Sequence, residues 1–291
     1  MKIVKLLIVM LVFSAVVNAQ STEFNNSLVW KMYKPGFADT SFILGTIHLP
    51  MKKAFEAVDT VSSILKKVDR AYFELEYDPM AFASQGMFFI AKEDSEKVKN
   101  ILSAQEYQLL QEKSKELLGE QAIVVDMLKP LGVMSMFVLS MVPSDTTGAM
   151  DILFQMEAKK QGLKIGGLET AEQQMEVLKK MSIAEQKVEL VDLLTHFEKY
   201  SLQFDTLINA YLNHDLQLLK KLTNESFSDS SQDFKEELLD KRNLKMAEKI
   251  EKLANKDACL FAIGAAHLVG EQGLLNLLKS KGYELEAVYS K

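Results

Sequence analysis

Two short stretches of this chain carry residue types that do chemistry, and they lie far apart. Ser41-Phe42-Ile43-Leu44-Gly45-Thr46-Ile47-His48-Leu49 is an apolar run ending on Gly-x-x-His, and Cys259-Leu260-Phe261-Ala262-Ile263-Gly264-Ala265-Ala266-His267-Leu268 has the same form. A glycine three residues before each histidine permits a tight turn and close backbone approach. Glu74, in Tyr72-Phe73-Glu74-Leu75-Glu76, and Glu169, in Gly166-Gly167-Leu168-Glu169, place carboxylates at or near the ends of further β-prone runs. Imidazole and carboxylate together suit zinc, manganese, cobalt or iron, and such an ion activates water and polarises a carbonyl. A single Gly-x-x-His is weak, because a lone histidine is more often a hydrogen-bonded structural residue. The matching contexts single out this pair. The other two histidines, His196 and His214, stand on helical stretches with no glycine turn, and read as structural or solvated.

To meet, these residues need a common sheet. Residues 27–33 and 41–44 read as a strand pair joined across Lys34-Pro35-Gly36. Apolar Phe55, Val58, Val61, Ile64 and Leu65 then recur at helical spacing through Lys67. Residues 70–76 form a strand whose alternation puts Glu74 and Glu76 on one side. The other end repeats the order: strand, Gly-x-x-His, a helix from Glu271 to Ser280, then a strand over Gly282–Val288. If both units are parallel βαβ crossovers in one sheet, both histidines emerge at the carboxyl edge, where α/β folds place their sites. The expected fold is therefore α/β, a central mixed β-sheet built from these N- and C-terminal units, with a largely helical middle from about 100 to 255.

In that middle, Ser103-Ala104-Gln105-Glu106 and Ser182-Ile183-Ala184-Glu185 match the capping box and open helices toward Gly119 and Tyr200. The Met-rich run from Leu131 to Val142 reads as a buried helix, with a groove for an apolar peptide or lipid as the alternative. Asp151 to Lys160 is a helix stopped by Gly162, followed by a short strand to Glu169. Amphipathic stretches over 182–200 and 203–222 lead to a polar connection, Thr223–Gln232, and a last long helix, Phe234–Leu253, that contains Arg242-Asn243.

Met1–Ala19 has two lysines, an apolar core and small residues before Ala19, the form of a secretory signal; the apolar run is too short for a membrane anchor. The expectation is an exported protein, periplasmic or secreted, with residues 20–291 as one domain and no integral membrane span. Losing Lys2 and Lys5 with no acid takes the formal charge from -6 to -8. Nucleic acid is a poor partner for such a surface, since phosphate binding calls for a basic face. Cys259 is the single cysteine, so no intrachain disulfide forms; at the start of an apolar strand it reads as a buried hydrophobe. The sequence has no His-Glu-x-x-His, no Gly-x-Ser-x-Gly, no dinucleotide fingerprint and no phosphate loop.

Taken in order, Leu28-Val29-Trp30-Lys31, Leu44-Gly45-Thr46-Ile47-His48-Leu49, Phe73-Glu74-Leu75-Glu76, Met150-Asp151, Gly167-Leu168-Glu169-Thr170, Arg242-Asn243 and Phe261–Leu268 resemble the TraB/GumN family over nearly the whole mature chain. That family includes the Tiki metalloproteases and is more distantly similar to erythromycin esterase and haem-binding ChaN-type proteins. The resemblance implies a metal-dependent hydrolase acting on a peptide or protein, with His48, His267 and Glu74 on a divalent ion such as manganese, cobalt or zinc. It implies Glu169 as a further ligand or general base. Arg242 would stabilise an oxyanion or hold a substrate carboxylate, or else act as an ion pair fixing the last helix to the sheet. Asp151 and Asn243 would orient the ligands. Glu76 stands where the family usually has aspartate. The rival implication is a non-catalytic periplasmic protein that binds haem, metal or an apolar peptide.

Overall fold

The computed structural model describes residues 24–35, 39–142, 148–225 and 235–289. Met1–Ala19 and most of the polar connection over 223–232 lie outside them. The strands are β1 (Val29–Tyr33), β2 (Ser41–Thr46), β3 (Arg70–Leu75), β4 (Lys164–Glu169), β5 (Cys259–Gly264) and β6 (Glu284–Val288). They form one mixed sheet in the order β4-β3-β5-β2-β1-β6. β1 pairs antiparallel with β2 and with β6, whereas β2–β5, β5–β3 and β3–β4 are parallel.

The helices are α1 (Lys52–Glu56), α2 (Val61–Leu65), α3 (Pro79–Phe88), α4 (Val98–Ile101), α5 (Ala104–Leu118), α6 (Pro130–Ser140), α7 (Met150–Lys160), α8 (Ala171–Lys179), α9 (Ile183–Thr195), α10 (Phe197–Leu212), α11 (Leu216–Glu225), α12 (Lys241–Ala254) and α13 (Leu274–Ser280). The described residues divide into two compact units, one of 78–142 and 171–206, the other of 24–77, 148–170 and 207–289.

The sheet unit is built from the two repeated segments. β2 leads through α1 and α2 to β3, and β5 leads through α13 to β6, each parallel to its start. Neither crossover joins neighbours: β5 lies between β2 and β3, while β2 and β1 lie between β5 and β6. The consequence is that β2 and β5, each ending in Gly-x-x-His, become adjacent strands, with Thr46 opposite Gly264. Every second residue on one face, Trp30, Met32, Ile43, Phe261 and Ile263, packs on Met246, Ala247 and Ile250 of α12 and Leu274, Leu275 and Leu278 of α13. β2 and β5 are buried along their whole length, so both faces of the sheet are covered there.

The helical unit carries both capping boxes, each with its reciprocal pair of hydrogen bonds. α6, the Met-rich helix, buries Leu131, Val133, Met134, Phe137 and Val138, as a core helix should.

Several boundaries differ from expectation. The single helix over 54–67 is two, because Ala57–Thr60 closes as turns, with Val61 N donating to Val58 O; Val58, Asp59 and Thr60 are poor helix formers in succession. The stretch over 182–222 is three helices. His196 leaves helical geometry at the end of α9, and His214 adopts φ 55° between α10 and α11. The last long helix begins as a π turn, Glu236–Asp240, before α12. β3 stops at Leu75, so Glu76 is exposed beyond the strand.

Candidate active site

Four parallel strands end at one edge and deliver four side chains: Glu169 at the end of β4, Glu74 in β3, His267 after β5 and His48 after β2. The two glycines of the motifs do different work. A Cβ on Gly45 would come within 2.9 Å of Leu268 Cδ1 and 3.2 Å of Ala265 Cβ, so its absence lets the second turn pack against the first strand. A Cβ on Gly264 would lie 3.3 Å from Glu74 Oε2, 3.4 Å from His48 Nε2 and 3.6 Å from His267 Cδ2. His48, Glu74 and His267 therefore converge over Gly264.

Each histidine is anchored through Nδ1. Asp151, in the first turn of α7 where a helix favours a carboxylate, holds His48 Nδ1 at 2.6 Å from Oδ2. Asn243, the third residue of α12, holds His267 Nδ1 at 2.6 Å from Oδ1, and its own Nδ2 donates to Gln272 O at 2.8 Å. That second bond fixes which end of the amide faces the ring, so Nδ1 of His267 is the donor and Nε2 carries the lone pair. Both Nε2 atoms face Glu74: His48 at 3.6 Å from Oε2, His267 at 3.9 Å from Oε1.

Glu74 is held from two further sides. The Gly264 N–H donates to Oε2 at 3.1 Å, and Arg242 Nη2 donates to Oε1. The same guanidinium grips Glu169, Nε at 3.0 and 2.9 Å from its two oxygens and Nη2 at 2.6 Å from Oε2, while Nη1 donates to Leu238 O at 2.9 Å. Every guanidinium nitrogen of Arg242 thus bonds inside the protein, which is the ion-pair arrangement tying α12 to the sheet.

These contacts set the protonation states. Burial opposes charge on His48, but the Asp151 and Glu74 carboxylates outweigh it and raise its pKa well above the usual value. For His267, burial acts first and Arg242 adds to it, against the pull of Glu74, lowering the pKa to about 3. Burial also opposes charge on Glu74, yet Arg242 and the two histidines hold its pKa well below the carboxylate range.

Tyr211, near the end of α10, gave no signal in the sequence. Its buried hydroxyl donates to Gly45 O at 2.9 Å with Met150 Sδ 3.1 Å away, pinning the first turn to the start of α7. A tyrosine on the buried stripe of an amphipathic helix looks like core until its long-range partner is known.

Among the described residues no three His, Cys, Asp or Glu side chains stand close enough together, as placed, to hold a metal ion. Ligand atoms at ~2.0–2.1 Å from one tetrahedral ion are about 3.3 Å apart. The two histidine-to-Glu74 separations are somewhat longer. The donor chemistry itself fits a divalent ion: two imidazoles with Nδ1 occupied and Nε2 inward, an ionised carboxylate between them, and outer acceptors already in place. Asp151 Oδ1 is a further buried oxygen with no hydrogen-bond partner among the described residues.

The chain is similar in sequence to proteins named metalloproteases. Relatives named metalloprotease TIKI2 are 23% identical in Danio rerio, over 90% of this chain and 61% of the relative, and 24% identical in Xenopus tropicalis, over 92% and 61%. A metalloprotease TIKI homolog of Nematostella vectensis is 28% identical over 56% of this chain and 41% of its own length. The chain therefore spans about three fifths of the length of the first two. No solved structure matches it. The sequence pattern of the TraB/PrgY/gumN family matches residues 28–287, from the first strand to the last, and the chain belongs to that family.

Proposed function

We propose that this protein is an exported, metal-dependent peptidase, in which His48 and His267, through Nε2, and Glu74 hold one divalent ion of manganese, cobalt or zinc. The observation that carries the reading is the convergence of those three side chains over Gly264. It is supported by relatives named metalloproteases and, for export, by the composition of Met1–Ala19. No helix of the described residues is long and apolar enough to cross a membrane.

When bound, the ion supplies a polarised carbonyl and a water of lowered pKa. The rest is done by the chain. Asp151 and Asn243 fix the tautomer and aim of each ring. Arg242 keeps Glu74 ionised and in place. His48 is the accessible member, with 37% of its side chain exposed against 5% for His267, so a peptide reaches the centre past His48. Gly264 leaves the floor of the site open to the ligands.

The test is direct. Purified mature protein, stripped and reloaded with manganese, cobalt or zinc, cleaves an unstructured peptide library, and His48→Ala and His267→Ala each abolish both metal uptake and cleavage. Metal retained by both variants would sink the site, and tight binding of intact peptide without turnover would replace the peptidase with a binding protein.

A further inference from the structure

Glu169 stands at the carboxyl edge of the sheet, where the sequence suggests a ligand or a base, but its surroundings give it different work. Both of its oxygens accept from Arg242, in a fork made by Nε and Nη2. Leu238 O, in the π turn that precedes α12, accepts from Nη1. The plane of the guanidinium is therefore set by Glu169 on one edge and the Leu238 carbonyl on another, and what remains of Nη2 is directed at Glu74 Oε1. Order of control follows from the number of bonds: Glu169 fixes Arg242, and Arg242 fixes Glu74.

The shared nitrogen explains why such a relay is needed. Leu75, not Glu74, lies opposite Glu169 across β3 and β4, so the two carboxylates come from neighbouring strands one position out of step, yet both reach Arg242 Nη2. Two buried carboxylates that meet at one nitrogen repel unless that cation is shared between them. A bidentate guanidinium does this with fixed geometry, which an ammonium would not. α12 also grips the strand backbone: Lys249 Nζ donates to Gly167 O at 3.0 Å and to Leu168 O at 3.1 Å. With Asn243 on His267, the same helix steadies Glu74 through Arg242 and His267 directly.

We propose that Glu169 is a positioning residue, acting through Arg242 to hold Glu74 over Gly264, and is neither a metal ligand nor the general base. In its metal-binding consequences this rests on the peptidase reading above. Its effect on Glu74 does not.

Glu169→Gln keeps the volume and one acceptor but loses the charged fork. Cobalt(II) affinity, measured by competition with a chelating dye, falls about 10–100-fold, the scale on which disturbed ligand supports act. At saturating cobalt, kcat stays close to wild type and the visible spectrum of the bound cobalt is unchanged. Unchanged affinity with kcat lost by about 10²–10⁴-fold would overturn the proposal in favour of a general base. An altered cobalt spectrum would overturn it in favour of a ligand. The second measurement needs no metal: in the crystal structure of metal-free Glu169→Gln, Glu74 shifts away from the Gly264 N–H, and an unmoved Glu74 would refute the relay. If wild-type protein takes up no cobalt, the peptidase reading fails, while this second comparison still decides what Glu169 does.

Discussion

The two Gly-x-x-His turns share their grammar and differ in their environment. The first leaves His48 partly exposed, backed by the carboxylate of Asp151; the second buries His267 behind the neutral amide of Asn243. The glycines differ in parallel, Gly45 giving room for the second turn and Gly264 forming the floor beneath the ligands. The difference teaches that the repeat supplies a way to bring an imidazole to a sheet edge, while charge and access are decided by whichever helix packs behind it. α7 contributes an acid to one ring and α12 an amide to the other.

The sharpest way to break this comparison is chemical modification. Diethyl pyrocarbonate attacks neutral imidazole, so in native metal-free protein it acylates His48 increasingly as pH rises through that residue's raised pKa and spares the buried His267 throughout, as read by peptide mass mapping; equal labelling of both would erase the asymmetry of access. Next in size is the exchange of glycines. Gly264→Ala lowers cobalt affinity about tenfold or more with the fold retained, because the added methyl meets Glu74 and His48. Gly45→Ala instead costs about 1–3 kcal/mol by overpacking against Leu268 and Ala265, read by denaturant unfolding, and retains most of the metal affinity. Reversed outcomes would mean that the two positions had been assigned the wrong work.

The smallest effect is a pH slope. In metal-free protein the raised pKa of His48 gives stability that is present below about 6.5 and is lost as pH rises through its folded value. His267, lowered to about 3, acts oppositely: between about 6.5 and 3 the unfolded chain takes the proton first, so stability falls as pH falls. Asp151→Asn removes most of the first contribution and leaves the second. Above about pH 6.5 its thermal midpoint lacks the rise that wild type gains on acidification, a difference of roughly a few degrees; parallel curves in that range would show that Asp151 does not set the charge of His48.

Much of this was legible in sequence because its signals are local. Strand, glycine, histidine and helix recur within each end segment, and capping boxes announce α5 and α9. What the sequence left open depends on which distant residues meet. That Glu169 spends its carboxylate on Arg242, 73 positions away, has no local mark. The breaks at Ala57–Thr60 and His196 escaped because apolar spacing continues across them, and periodicity alone does not sense a closed turn. Tyr211 carries no local mark because, buried beside the turn it holds, it is one more apolar-face position on an amphipathic helix.

The proposed site requires both turns to serve one ion. Anomalous scattering at the absorption edge of cobalt, from crystals of the reloaded protein, tests it most directly. The expected result is one ion per chain above Gly264, about 2.0–2.2 Å from Nε2 of His48, Nε2 of His267 and an oxygen of Glu74. An ion bound by only one of the two histidines, or lying elsewhere in the molecule, would contradict the account.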